Sequence, residues 1–142
     1  MVEAGYSGTP LPKKLGLKDG QRVLFLDLPD TQRDLMQSRD FAESWQADWT
    51  GLPVSGGRWD VIHGFTRQRA VLEDNARALV DAVTRNGMVW ISWPKKASKV
   101  ETDITEDTLR EIFLPIGLVD VKVCAVDDIW SGLKLVIRKE LR

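Results

Sequence analysis

The sequence holds one cysteine, Cys124, and one histidine, His63. A single cysteine excludes an intramolecular disulfide and every multi-cysteine metal site. Cys124 sits in the strand-like run LVDVKVCAV, where a buried and inert thiol is expected. The lone histidine has no Cys, Asp or Glu companions at ligand spacing, so no metal centre is expected. An excess of one charge is also missing: 20 Lys and Arg face 21 Asp and Glu, for a formal net charge of −1. That balance argues against a dedicated nucleic-acid binder, which carries a basic excess. No apolar run reaches the length of a bilayer span, and no apolar stretch follows a basic start, so neither a membrane segment nor a signal peptide is expected. A cytoplasmic location is the resulting expectation.

What is present suits one folded domain. The 142 residues are 43% hydrophobic and 29% charged, enough for a single sizeable core. Residues 1–20 are rich in glycine and proline and read as an N-terminal arm with one helical turn near Lys13 to Leu15. RVLFLDL (22–28) is a buried strand closed by Pro29-Asp30. Residues 31–46 carry a partial helical face through Leu35, Met36 and Phe41, with Asp30 or Thr31 as cap, and 47–58 read as loop, with a short strand near Trp49 as the alternative.

WDVIHGF (59–65) is the next strand, and Thr66 can cap a helix whose Leu72, Ala76, Leu79, Val80 and Val83 share one face. Asn86-Gly87 reads as its stop, and GMVWISWP (87–94) as a strand. Asp103 or Thr105 caps a helix through about Leu114, with Glu106 and Asp107 at its positive end. LVDVKVCAV (118–126), the turn DDIWSG and LKLVIRK (133–139) form a hairpin with one half-exposed strand. Alternating strands and helices predict a three-layer, Rossmann-like α/β domain, its sheet mostly parallel with a C-terminal antiparallel hairpin.

Ligands of such sheets bind beyond the carboxyl ends of the parallel strands. ISWPKKAS (91–98) lies at such an end, which makes Lys95 and Lys96 candidates for an anion or phosphate contact. A solvated loop pair is the competing reading, and two lysines on an extended chain cannot both face one crevice. The same Pro-Lys-Lys recurs in GYSGTPLPKKLG (5–16), where Lys13 and Lys14 either fold over the sheet edge or belong to an arm packing Tyr6 and Leu11 on the core. This stretch lacks the spacing of a phosphate-binding P-loop. In AVDDIWSGLK, Asp127 and Asp128 can line a site or simply bond the turn backbone. Trp130 beside them can stack on a ligand or cover the core. His63, with Asp27 or Asp60, is a candidate base or a satisfied strand histidine. Trp45 and Trp49 lie in a polar region and are candidates for a partner surface, with a loop that folds back over the sheet as the alternative.

The stretch LGLKDGQRVLFLDLPD resembles the opening of a class I methyltransferase, and the terminal helix and hairpin resemble that fold's last strands. In place of the glycine-rich cofactor loop this chain has Leu28-Pro29-Asp30. Close backbone approach needs glycine, and proline removes a donor, so no cofactor is expected. A second resemblance covers nearly the whole chain. GYSGTPLxKKLG, WPKK and VDVKVCAVDxxWSGLK are similar to the motifs of a small bacterial domain-of-unknown-function family, and imply a compact Rossmann-like domain. The expectation is a non-catalytic binding or interaction domain with a small-anion site at the carboxyl edge of the sheet. An enzyme acting on a phosphorylated or carboxylated metabolite, with Asp127 or His63 as base, is the alternative. A structural subunit forming a homo-oligomer through the arm is the third reading.

Overall fold

The computed structural model describes residues 9–52 and 58–142. Tyr6, Ser7 and the start of the GYSGTPLPKKLG stretch lie outside the described residues, as do 53–57 of the loop.

The chain forms a six-stranded sheet: β1 (Arg22–Leu26), β2 (Glu43–Ala47), β3 (Trp59–Phe65), β4 (Val83–Pro94), β5 (Leu118–Ala125) and β6 (Trp130–Ile137). The spatial order is β2-β1-β3-β4-β6-β5. β2, β1, β3 and β4 run parallel, while β6 is antiparallel to both β4 and β5. The expected α/β architecture with a terminal antiparallel hairpin is the architecture observed. β1 and β3 are central, and their side chains from Val23 to Leu26 and from Val61 to Phe65 are buried. That explains why they read as continuous apolar runs, since both faces are covered.

The two faces are covered unequally. Helices α2 (Arg69–Ala82) and α3 (Glu106–Phe113) place Leu72, Leu79, Leu109 and Phe113 against Leu24, Ile62, Val89 and Ile91. The other face carries a thinner layer, the four-residue helix α1 (Leu11–Lys14) and a 3-10 segment, Asp30–Gln37. Leu15, Leu17, Leu28 and Leu35 bury there against Phe25, Phe65 and Trp90. The Trp90 indole N–H donates to the Leu15 carbonyl at 2.9 Å. This bond fixes the described part of the arm to the domain's own core.

Three expectations are corrected. Residues 31–46 are not one helix: Gln32 leaves helical geometry at φ −113°, the 3-10 segment stops at Gln37, and 43–47 pair with β1 as strand β2. As an edge strand β2 buries no side chain fully, so ESWQA carries no apolar signature. Helix α2 ends at Ala82 rather than at Asn86-Gly87. The pairing of β3 with β4 jumps from Trp59↔Val83 to Val61↔Met88, so residues 84–87 form a bulge. A Cβ on Gly87 would stand 2.7 Å from the Asp60 carbonyl oxygen, so the glycine serves the bulge and not a helix end. Thr66 does not cap α2 either. The first helical N–H, of Arg69, donates to Asp103 Oδ1 at 2.7 Å, across 34 residues of chain. Thr105 caps α3 in a reciprocal pair with Thr108, and Glu106 and Asp107 lie in its first turn.

Candidate functional site

The chain leaves β1 toward β2 on one side and returns to β3 on the other. The carboxyl ends of β1 and β3 are therefore the topological switch point, where open α/β sheets hold ligands. β1 gives way to Asp27, whose φ of 53° is rare for a residue with a side chain. Its N–H donates to the Ala47 carbonyl at 2.9 Å. Its carboxyl is raised from the usual range by partial desolvation and then by the negative charge of Asp48. A cleft of about 280 Å³ opens here, lined by Asp27, Phe65, Thr66, Arg67, Gln68, Val71 and Trp130.

Trp49 packs over the strand ends beside this cleft. It follows β2 in a 3-10 turn, Trp49–Gly51, and reaches across the end of β1 to β3. Its indole N–H donates to the Phe65 carbonyl at 2.9 Å, and only 6% of the residue is exposed. The ring lies directly on Gly64, where a Cβ would collide with it. Asp48, which starts this turn, has Oδ1 engaged by the Thr50 hydroxyl at 2.5 Å and the Gly51 N–H at 2.9 Å. Those bonds hold its carboxyl below the usual range.

Beside this cleft lies a larger groove of about 630 Å³ at the end of β4. Lys95, Lys96 and Lys99 line it, with Thr102, Thr105 and Ser131 supplying hydroxyls and Trp93, Pro94 and Ile104 an apolar wall. Glu101 and Glu106 complete the rim, and Glu106 is paired with Arg110 at 3.0 Å. Among the described residues, none of the three lysines is in an ion pair. Their loop is held tightly. The Ser98 hydroxyl donates to the Lys95 carbonyl at 2.7 Å, and Lys99 adopts φ 62°. A left-handed lysine beside a cleft is an outlier of the kind that gathers at functional positions.

The sequence candidates divide between places. Lys95 is half-buried and Lys96 exposed, and both line the groove. The Lys95 N–H donates to the Ile129 carbonyl at 2.7 Å, so this strand end abuts the 127–129 turn. Asp127 faces that turn and not the groove. Its Oδ1 accepts from the Ile129 and Trp130 N–H groups, each at 2.8 Å, and its Oδ2 from Gln32 Nε2 at 2.9 Å. Asp128 is exposed. Trp130 meets Phe65 edge-on at 5.3 Å and walls the switch-point cleft. Lys14 Nζ donates to the Ala125 carbonyl at 3.0 Å, while Lys13 is exposed.

His63 is 1% exposed, receives or donates a 2.7 Å bond with Ser92 Oγ, and stacks on Phe65 at 4.3 Å. Burial lowers its pKa to about 3. Trp45 is 57% exposed on β2, whereas Trp49 is buried, so the two tryptophans do not form one partner surface. Cys124 is half-buried, and desolvation pushes its thiol up. Sequence reasoning missed Lys99, Arg67, Gln68 and the seating of Trp49 on Gly64, although a loop folded back over the sheet was its alternative for this tryptophan. Lys99 had a local signal, since it shares the PKKASK loop. Trp49 had none, because its partner Gly64 lies 15 residues away on another strand.

No family model and no curated sequence matches the chain. Solved structures do. A SAM-dependent methyltransferase from Aquifex aeolicus superposes with a TM-score of 0.65 at 14% identity, over 88% of this chain and 86% of that one. Magnesium protoporphyrin IX methyltransferase from Synechocystis PCC 6803, with bound SAH, gives 0.59 at 11% identity, over 85% and 75%. The DhpI–SAH complex gives 0.57 at 13% identity, over 84% and 76%. The chain has a class I methyltransferase-like fold. The motif likeness to a domain-of-unknown-function family gains no support from these comparisons.

That fold raises the question of S-adenosylmethionine. An acidic residue at the end of the second strand, here Asp48, meets a ribose in many nucleotide-binding α/β folds, and this position speaks for such a ligand. The rest of the site does not fit it. The loop after β1 spends the Asp27 N–H on Ala47, buries the Leu28 side chain and offers no donor at Pro29. The Trp49 ring covers Gly64 at the end of β3. The cleft at the strand ends measures about 280 Å³, at or below the smallest usual ligand pockets, roughly 300 Å³, and a second concavity of about 440 Å³ shares Arg67 and Gln68 with it.

Proposed function

We propose that this chain is a ligand-binding domain built on a methyltransferase-like fold, holding a small anion in the groove at the end of β4. The observation that carries this reading is that Lys95, Lys96 and Lys99 surround one concavity at the carboxyl edge with no ion-pair partner among the described residues. Charge left unpaired beside apolar walls attracts a counter-charge more strongly than charge already neutralised. The Thr102 hydroxyl donates to the Arg67 carbonyl at 2.7 Å and that of Thr105 is engaged with Thr108, so Ser131 is the hydroxyl that helps orient a phosphate or carboxylate, and Trp93 and Ile104 receive an apolar body.

The test is calorimetric titration with pyrophosphate at low and at physiological salt. Saturable binding that weakens about tenfold or more in Lys95→Ala/Lys96→Ala and falls with added salt is expected. Equal binding by that variant sinks the reading.

Methyl transfer is the second reading, supported by the structural neighbours and by the position of Asp48. It needs S-adenosylmethionine to bind, which the closed crevice opposes. The candidate bases offer it little: His63 is sealed in the core and Asp127 is committed to its turn. Self-association is a third proposal. The described arm is engaged with its own core, so the apolar surface available is edge strand β5, where Val119, Val121 and Val123 are exposed. Sedimentation that stays monomeric at high concentration removes it.

A further inference from the structure

We infer that Trp49 is the resident occupant of the switch-point crevice, and that this chain has a methyltransferase-like fold closed to S-adenosylmethionine. The inference is independent of the anion groove, which lies beyond β3 at the end of β4. It rests on the side chain's placement, its bond and its fit. The indole starts from the end of β2, passes over the end of β1 and donates to the last carbonyl of β3, so it spans the strand ends that bound the crevice. It is 6% exposed and belongs to the main apolar cluster with Leu26, Ile62 and Leu72.

Gly64 completes the fit. Any side chain there would strike the indole, so the glycine reads as a seat for the ring. The φ of Gly64 is not in the left-handed region, and no turn requires glycine at this position inside β3. A purine and an indole are both flat, fused bicyclic rings carrying an N–H donor. The chain thus supplies from its own sequence a flat ring of about the size of a purine base. Departure of the ring would expose Gly64, Leu26 and the Phe65 carbonyl together. A ligand must then replace both the apolar contact and the hydrogen bond, each of which costs free energy to break.

Two measurements on the full chain test this. In the first, the wild-type protein is titrated with S-adenosylhomocysteine by calorimetry. No saturable heat is expected up to about 1 mM, a concentration that still detects binding of roughly 4 kcal/mol. Saturable binding overturns the inference. In the second, thermal unfolding of Trp49→Gly is followed with and without free indole. The vacated seat should take indole, so the melting temperature rises with indole concentration, by the linkage expected of a ligand that binds only the folded state. The wild type should show no such rise. A folded Trp49→Gly that ignores indole overturns the inference. Should the glycine variant fail to fold, Trp49→Phe is used in the first assay: S-adenosylhomocysteine binding by the variant and not by the wild type is the result expected of closure by Trp49, and equal binding by the two, or none by either, overturns it.

Discussion

Two concavities share one edge of this sheet and have opposite characters. At the ends of β1 and β3 the chain fills its own crevice: Trp49 is buried on Gly64 and its N–H is satisfied by Phe65. At the end of β4 the groove is open, and Lys95, Lys96 and Lys99 stand around it without ion-pair partners among the described residues. The fold places ligands at both locations in principle. Which one binds is decided by what the side chains have left unsatisfied. A seated indole lowers the free energy of the empty crevice, whereas an unpaired ammonium gains when a counter-charge arrives.

Four perturbations sharpen or break this contrast. Trp49→Ala removes a buried bicyclic ring and should destabilise the fold by about 3–5 kcal/mol in urea unfolding. A loss below 1 kcal/mol would mean that the ring is not seated. The next effect comes from His63, which lies beneath the same strand ends. Its folded pKa of about 3 lies below its ordinary value near 6.5, so between these values the unfolded chain binds a proton that the folded chain refuses. Stability is full above pH 6.5 and falls as the pH drops toward 3, at up to about 1.4 kcal/mol per pH unit. The slope of unfolding free energy against pH should shrink in His63→Gln; an unchanged slope would assign it to other groups.

Gly64→Ala should cost about 1–3 kcal/mol through overpacking. In a Trp49→Ala background the same change should be nearly silent, because the colliding ring is gone; equal costs in both backgrounds would break the pairing. Lys95→Ala/Lys96→Ala should change stability by no more than about 0.5 kcal/mol, as expected for exposed and half-exposed positions outside any bond network. A larger loss would show that these lysines hold the fold and are not reserved for a ligand.

The central elements were legible in the sequence because their burial is two-sided. RVLFL and WDVIHGF announce strands with no help from tertiary context, and Thr105 with its acidic first turn announces a helix start. Strand β2 was not legible, since an edge strand that buries no side chain leaves ESWQA looking like part of a polar helix. The bulge at 84–87 was also hidden: Asn86-Gly87 suits a helix stop equally well, and only the Asp60 carbonyl across the strand pair explains the glycine. Of the site, Lys95 and Lys96 were legible from their position at a strand end. The partner of Asp127 is Gln32, 95 residues away, and the partner of Trp49 is a glycine on another strand. Such pairings carry no local pattern. The two Pro-Lys-Lys segments make the same point, for one ties Lys14 to Ala125 and the other lines a groove.

The most direct test is a two-dimensional NMR titration of the nitrogen-15-labelled protein, following the Trp49 indole N–H and the backbone amides of Lys95, Lys96 and Lys99. With pyrophosphate the lysine amides should shift saturably while the Trp49 indole stays in place, and with S-adenosylhomocysteine neither should move. Saturable movement of the Trp49 indole on adding S-adenosylhomocysteine, with the lysine amides indifferent to pyrophosphate, would contradict both the filled crevice and the open groove.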